Sequence, residues 1–320
     1  MKLFDLHCDT IYECCETGKH LRENDLHINY AAAHRYQPYV QFFALFCGAR
    51  QPYSPETRDC LLDTPADKRF DRMLTTARRE FAANADWLTF CRSAADIRAA
   101  VEAGKAAALL SIEGAELLPD RPDALDYVYD AGVRLITLTW NYRSRYGCSS
   151  AVDQNEGLTE LGKQLVRDCG EKGIIVDVSH LSDRGFRDVC EATDRPFVAT
   201  HSDSRVLCRN SRNLTDEQFA EIANRRGLVG VNLYTPFLVR QSDSVIDDAI
   251  DHIERFLGMY GEKVVALGCD FDGCDTLPIG IDGLADMYRL ADRMLTLGYK
   301  QETVDGLFYD NAFNFMQKML

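Results

Sequence analysis

Short, continuous apolar runs recur along the chain, separated by longer segments in which the apolar residues follow a helical spacing. Eight of these runs have the length and composition of strands: Lys2–His7, Val40–Phe46, Ala107–Glu113, Arg134–Trp140, Ile174–His180, Phe197–His201, Leu228–Tyr234 and Val264–Asp270. They lack a regular alternation of apolar and polar positions, which is typical of parallel strands covered on both faces. The pattern therefore predicts eight buried parallel strands.

Helical segments with recognisable ends lie between most of these runs. The segment 93–104 begins with Ser93 as a capping residue and ends at Gly104. A capping box, formed by Thr215 with Gln218, opens the segment 215–227. Further helices are predicted over 65–86, 122–132, 158–173, 242–261, 283–297 and 301–319. The long connection 47–106 is thus expected to carry a helix of its own, over 65–86.

Eight strands that alternate with helices over this length predict an α/β fold of the (β/α)8 TIM-barrel type. A doubly wound open sheet is the alternative. No Gly-rich GxGxxG segment follows a strand, so the fingerprint of dinucleotide binding is missing from the sequence. Since no linker, repeat or low-complexity tract interrupts the pattern, residues 1–320 are predicted to form a single barrel domain.

The composition narrows the class of protein further. The 320 residues are 46% hydrophobic, enough for a large core, and the net charge of −14 argues against nucleic acid and anionic membranes as partners. The N-terminal segment reaches acidic residues at once and has no apolar core of a secretory signal, so we expect a soluble, cytoplasmic protein. In that setting the 12 cysteines are expected to be mostly buried thiols, not a disulfide framework.

Polar residues stand where several apolar runs end, and in a barrel these ends meet on one face. They are His7 and Asp9 in "LHCD", Glu113 in "LLSIEG", His180 in "VDVSH", His201 in "VATHSD", and Asp270 with Asp272 in "LGCDFDG". Each of these residues, taken singly, is more often a hydrogen-bonded structural residue than a ligand. Their coincidence at one level of one predicted barrel is what favours a metal site.

The chemistry of these side chains suits two divalent ions. His7 and Asp9 are two apart, so in extended backbone they point the same way and can hold one ion. His180 and His201 can hold a second, with Glu113 between the two. Asp270 would remain as a free carboxylate that transfers a proton. Asp177 lies three residues before His180 and is expected to be structural.

The motifs "FDLHCDT", "SIEG", "VDVSHLS", "THSDSRVLCRNSRN", "LGCDFDG" and "GLFYDNAFNF" occur in this order along essentially the whole chain. Together they resemble the zinc-dependent membrane dipeptidases, the renal-dipeptidase family of metallopeptidases, in a soluble, bacterial-type form. The resemblance implies a (β/α)8 barrel with two Zn²⁺ ions, in which a hydroxide between the metals attacks the peptide bond of a dipeptide. It implies that His7 and Asp9 hold one ion, His180 and His201 the other, and that Glu113 bridges them and takes part in catalysis.

The same resemblance implies roles for residues that contact the substrate or transfer a proton. It implies that Asp270 is the catalytic acid and base, and that Arg212 in "NSRN" binds the carboxylate at the substrate's C-terminus. Members of the family often carry a histidine directly after "LTLT", where it contacts the substrate carbonyl. Here the run reads "LITLTWNYRS", so Trp140 stands in that place. Either Trp140 or its neighbour Asn141 is expected to supply the hydrogen-bond donor, or the rate and specificity are expected to differ from those of the family.

Two other functions stay open at this point. A different binuclear amidohydrolase, acting on N-acyl amino acids or related amides and esters, would use a similar barrel. Such enzymes often carry a bridging lysine, and no lysine stands at a predicted strand end here. A metal-binding barrel without catalysis is the second alternative. The family resemblance also implies a homodimer and the acceptance of a D-residue at the substrate's C-terminal position.

Overall fold

The computed structural model describes residues 1–48 and 65–320. Within these ranges the strands are β1 Leu3–Asp5, β2 Tyr39–Phe46, β3 Leu88–Phe90, β4 Ala106–Glu113, β5 Val133–Thr137, β6 Ile175–Asp177, β7 Val198–Ala199, β8 Leu228–Val231 and β9 Val265–Leu267. All the pairings between these strands are parallel. Each of the eight predicted runs contains or overlaps one of these strands.

Eight of the strands form a closed ring. Their order is β2-β1-β9-β8-β7-β6-β5-β4, and β4 returns to pair with β2 over seven residue pairs, from Val40 with Ala107 to Phe46 with Glu113. The predicted (β/α)8 barrel is therefore confirmed. The open doubly wound sheet is excluded, because such a sheet would leave two free edges.

Strand β3 is an addition that the sequence pattern did not predict. It pairs with the beginning of β4, from Ala106 to Ala108, on the edge that β5 takes over from Leu110 onward. Sequence analysis assigned helices to 65–86 and 93–104 of the 47–106 connection and no element to the residues between them. Three residues are too few to give a readable period, and here the pairing partner, not the local sequence, fixes the strand. The rest of that connection, 49–64, lies outside the described residues.

Helices surround the ring. They are α1 Thr10–Thr17, α2 Tyr30–Ala33, α3 Ala66–Ala83, α4 Ala94–Glu102, α5 Ala124–Ala131, α6 Glu160–Lys172, α7 Asp183–Ala192, α8 Asp216–Asn224, α9 Thr235–Leu238, α10 Ile246–Tyr260, α11 Met287–Thr296, α12 Gln301–Asp305 and α13 Asn311–Met319. A π-helical turn, Gly306–Asp310, joins the last two, and short 3₁₀ turns occupy Ala115–Leu117 and Leu284–Asp286. No helix in the described part of the chain is long and apolar enough to cross a membrane.

The core has two layers. One buried cluster takes residues from all eight ring strands, among them Phe4, Phe42, Leu109, Leu135, Ile175, Val198, Leu228 and Ala266. It also includes Phe315 and Met316 of α13, so the C-terminal helix packs on the inner cluster. A second, larger cluster joins the other faces of the strands to the surrounding helices. Burial on both faces explains why the strands read as continuous apolar runs.

Candidate metal centre and active site

The predicted ligands come from four strands of the ring and meet at its carboxyl end. Glu113 is the last residue of β4, while His7, His180 and His201 follow the last residues of β1, β6 and β7 by two or three positions. Strand β4 ends where predicted, whereas β1, β6 and β7 end two or three residues before the predicted runs, so their histidines lie beyond the sheet. All four side chains are buried.

Glu113 lies between the two groups of ligands. Its Oε2 is 3.5 Å from Nε2 of His7. Its Oε1 is 3.0 Å from Nε2 of His180 and 3.6 Å from Nε2 of His201. One carboxylate oxygen therefore faces each group, which is the arrangement that a bridging carboxylate requires.

His7 lies close to ligands of both groups. Nε2 of His7 is 3.4 Å from Oδ2 of Asp9 and 3.7 Å from Oδ1 of Asp270. The His7 ring also stacks on His201, with 3.9 Å between the centroids. Two triads have donor atoms within 4.8 Å of one another, namely His7 with Glu113 and His201, and His7 with Asp9 and Asp270.

The donor set fits divalent metal ions. Both ring nitrogens of His7 and Oδ1 of Asp9 are buried, and none of them has a hydrogen-bond partner in the described residues. Burial raises the pKa of the Glu113 carboxyl to about 8, and the neighbouring Asp9 carboxylate adds to the rise. Unpartnered ligand atoms and crowded carboxyl groups are costly in a buried site unless a cation binds there.

Two of the histidines are held by hydrogen bonds that direct Nε2 into the centre. Nδ1 of His180 is 2.9 Å from Oδ1 of Asn141, an oxygen that can only accept. Nδ1 of His201 is 2.7 Å from the hydroxyl of Thr200, whose own hydrogen is donated to Asp177 over 2.6 Å. In both rings the proton therefore lies on Nδ1, which leaves the Nε2 lone pair free for a metal.

The charge state of these rings agrees with that role. Burial lowers the pKa of His180 well below its usual value, and the nearby positive charge of Arg212 lowers it further. Burial also lowers the pKa of His201, and Arg212 adds to the effect. Neutral imidazole is the form that binds a metal ion.

Asp177 is structural, as predicted. Its Oδ1 accepts hydrogen bonds from the backbone N–H groups of Ser179 and Thr200, each over 2.9 Å. Its Oδ2 accepts from the hydroxyls of Thr137 and Thr200, each over 2.6 Å. The carboxylate thus joins the ends of β5, β6 and β7 beneath the histidines.

Arg212 lies beside the histidines and not on the surface. Its guanidinium donates to Oγ of Ser202 over 2.8 Å and to the backbone carbonyl of His201 over 2.9 Å. Its Nε is buried and has no partner among the described residues. A buried guanidinium with an unused N–H next to a candidate metal centre is suited to bind a carboxylate.

A family model for membrane dipeptidases, peptidase family M19, matches residues 1–319. The chain belongs to this family. An uncharacterised protein from the pqqA 5′ region of Klebsiella pneumoniae is 35% identical over 250 residues, which span 75% of this chain and 92% of that protein.

Two solved structures of dipeptidase relatives match the whole fold. A metallopeptidase from Rhodobacter sphaeroides, crystallised with a phosphinate mimic of the dipeptide L-Ala-D-Ala, superposes with a TM-score of 0.90 at 26% identity, over 100% of this chain and 99% of that chain. A second structure, the metallopeptidase called dipeptidase AC, gives a TM-score of 0.88 at 26% identity, with the same coverage. Together with the family match, these structures identify a metal-dependent dipeptidase.

Trp140 and Asn141 occupy different parts of the dipeptidase centre. The half-buried Trp140 ring packs edge-on against Phe46 at 4.7 Å and against Tyr142 at 5.0 Å. Its centroid is 6.3 Å from that of His180. Asn141 instead contacts Nδ1 of His180, a candidate metal ligand, through its side-chain oxygen.

Asp272 does not join the ligand triads, although it follows Asp270 in "DFDG". It accepts hydrogen bonds from the Thr10 hydroxyl and from the backbone N–H of His27, the latter over 2.7 Å. Its own N–H donates to Nδ1 of His27 over 2.9 Å. Asp272 therefore fixes the loop after β9 to the segment after α1.

Sequence reasoning missed Asn232, which follows β8. Its Nδ2 donates to Oδ2 of Asp270 over 3.0 Å, and the residue is fully buried. The signal was present, since Asn232 is a polar residue inside the predicted run Leu228–Tyr234. The contribution of Thr200 to His201 had no comparable signal, because threonine is common in strands.

Proposed function

We propose that this dipeptidase binds two divalent ions, most simply Zn²⁺, through His7, Asp9, Glu113, His180 and His201. The observation that carries the proposal is the position of Glu113, whose two oxygens face two separate groups of neutral or acidic ligands. Imidazole and carboxylate donors suit zinc and related ions. Bound there, such ions would polarise a carbonyl group and lower the pKa of a water molecule.

Asp270 is proposed as the residue that moves the proton. Oδ2 is held by Asn232, and Oδ1 lies 3.7 Å from Nε2 of His7, on the side of the centre. A carboxylate there can accept a proton from the attacking water and deliver it to the leaving amine. A ligand role is the alternative, because Asp270 also belongs to one of the two triads.

Arg212 and Trp140 are proposed to contact the substrate. The unused Nε–H of Arg212 would bind the free carboxylate of a dipeptide, which selects short substrates with a C-terminus close to the scissile bond. The indole N–H of Trp140 would donate to the oxygen of the scissile carbonyl. Because the Rhodobacter sphaeroides relative binds a mimic of L-Ala-D-Ala, we include dipeptides with a C-terminal D-residue among the substrates.

The substitution Asp270→Asn tests the assignment of the proton carrier. An amide keeps the size and the hydrogen-bonding shape of the side chain but cannot take up the proton. We expect both metals to remain bound while kcat falls by about 10²- to 10⁴-fold, the usual contribution of general acid–base catalysis. Metal analysis and steady-state kinetics on L-Ala-L-Ala and L-Ala-D-Ala provide the measurement. Loss of one metal would make Asp270 a ligand, and a normal kcat would remove it from the mechanism.

A further inference from the structure

Asn232 contacts Asp270 at Oδ2, whereas the other carboxylate oxygen, Oδ1, is the one near His7. It follows β8, is fully buried, and donates from Nδ2 to Oδ2 of Asp270 over 3.0 Å. The same side chain accepts a hydrogen bond at Oδ1 from the backbone N–H of Tyr234 over 2.7 Å. Its own backbone N–H donates to Oδ1 of the buried Asp203 over 3.1 Å.

These contacts fix which end of the Asn232 amide faces Asp270. A backbone N–H can only donate, so the amide oxygen must face Tyr234. The amide nitrogen is then directed at Asp270. The reversed orientation would place an oxygen against a carboxylate oxygen and an NH₂ group against an N–H, so two hydrogen bonds would become two repulsions.

Asp270 also has an uncommon backbone conformation. Its φ of 62° is in the left-handed region, which is uncommon for a residue other than glycine. Gly273 closes the other side, since a Cβ at that position would lie 2.3 Å from Oδ1 of Asp270. The carboxylate is thus confined between the Asn232 amide at Oδ2 and the Gly273 backbone near Oδ1.

We propose that Asn232 is a positioning residue for the hydrolytic step: its amide N–H holds Oδ2 of Asp270 so that Oδ1 faces the metal centre. This inference rests on the role proposed above for Asp270. The Tyr234 hydrogen bond alone would not need an asparagine, because aspartate and serine accept the same local hydrogen bond in turns. What only asparagine supplies here is the donor that reaches Asp270.

Two substitutions separate these functions. Asn232→Asp keeps the size of the side chain and the acceptor for Tyr234, but it replaces the amide donor with a second carboxyl group beside Asp270 and so also changes the local charge. Asn232→Ser keeps a smaller acceptor, adds no charge, and is too short to reach Asp270. We expect kcat to fall about 10- to 100-fold in both, the usual cost of removing a group that orients an active-site residue. KM should change less than about threefold and the metal content should stay at the wild-type value.

Asn311→Asp is the matched control. Asn311 is also buried and donates from Nδ2, to the carbonyl of Val265 over 2.8 Å, but it does so at the start of β9, not at its carboxyl end. The Asn311→Asp substitution should lower the melting temperature without lowering kcat. A loss of kcat in the control comparable to that in the Asn232 variants would show a general loss of packing and overturn the proposal.

The deciding measurement places Asn232→Ser in the Asp270→Asn background. If Asn232 acts through Asp270, the double variant should have the kcat of Asp270→Asn within about twofold. An equal fold-loss in both backgrounds would overturn the inference, as would a normal kcat in Asn232→Ser alone. The single variant Asp270→Asn reports separately on the proposed function: if it retains normal turnover, the role of Asp270 itself is wrong.

Discussion

Trp140 and Asn141 are neighbours after β5, yet their contacts differ in a way that predicts different defects. Asn141→Ala removes the oxygen that holds Nδ1 of His180, so we expect weaker metal binding, by about 10- to 100-fold. Trp140→Phe keeps an aromatic ring against Phe46 but removes the indole N–H. It should bind metal normally and lose kcat by about 10²-fold, as when one oxyanion donor is removed. Metal titration and kinetics on both variants distinguish the two outcomes; the reverse pattern would exchange the two roles.

His252 gives a pH prediction that is independent of the metal centre. Its Nδ1 accepts from the backbone N–H of Ser204 over 2.9 Å, and Nε2 is 3.1 Å from the carbonyl of Leu238. Burial lowers its pKa below the usual 6.5, although the Leu238 carbonyl and the Asp248 charge oppose the shift. The unfolded chain therefore takes up a proton more readily than the folded one. This contribution to stability is complete above pH 6.5 and is lost as the pH falls below that value.

The substitution His252→Asn tests this prediction, because asparagine does not titrate. Urea unfolding at pH 7.5, 6.5 and 5.5 should show a steeper loss of stability in the wild type than in the variant. The difference in slope is limited to about 1.4 kcal/mol per pH unit for one proton. Equal slopes in the two proteins would show that His252 titrates in the same way in both states.

The sequence predicted some residues of the centre and not others. His7, Glu113, His180 and His201 were identifiable because each is polar at the end of an apolar run. The left-handed backbone of His180 and Asp270 had no signal, because neither residue type requires it. The roles of Asn232 and Thr200 depend on hydrogen bonds between different strands, and a linear pattern does not show which strands are neighbours.

At the scale of the elements, Gly273 in the loop after β9 lies against the carboxylates of both Asp9 and Asp270. A Cβ at Gly273 would lie 2.2 Å from Oδ2 of Asp9 and 2.3 Å from Oδ1 of Asp270. Gly273→Ala should therefore displace both carboxylates, lowering metal affinity and kcat together. Gly258→Ala is the control, since a Cβ there has no atom within 4 Å. Isothermal titration with Zn²⁺ and kinetics provide the measurement, and unchanged affinity would contradict the contact.

Capping residues in the sequence correctly predicted where two of the helices begin. Ser93 caps α4 by accepting from the N–H of Asp96, and Thr215 forms the expected capping box with Gln218. The carboxyl ends of β2 and β4 were predicted correctly, but those of β1 and β5 to β9 were predicted too late. In β6, for example, "VDVSH" continues the apolar run after the strand has ended at Asp177. Strand β3 was not predicted, since it has only three residues and is defined by its pairing with the start of β4.

At the scale of the whole molecule, ring closure explains how residues so distant in sequence form one centre. His7 and Asp270 are separated by most of the chain, yet β1 pairs directly with β9 through Asp5 and Leu267. The pairing of β2 with β4 places Glu113 beside Phe46 at the same end. The barrel class was predictable from the alternation of runs and helices, whereas the register that aligns the ligands is set by pairings across the sheet.

Metal dependence is the central claim, and a metal titration of chelator-treated protein tests it most directly. The protein is stripped, Zn²⁺ is added back in known equivalents, and bound metal and hydrolysis of L-Ala-L-Ala and L-Ala-D-Ala are measured on the same samples. Glu113→Gln serves as the comparison, because it keeps the shape of the bridging side chain but removes its charge. We predict two ions bound per chain, hydrolysis that is restored only as they bind, and loss of both properties in the variant. Full turnover in the stripped protein, or two bound ions without hydrolysis of either dipeptide, would contradict the account.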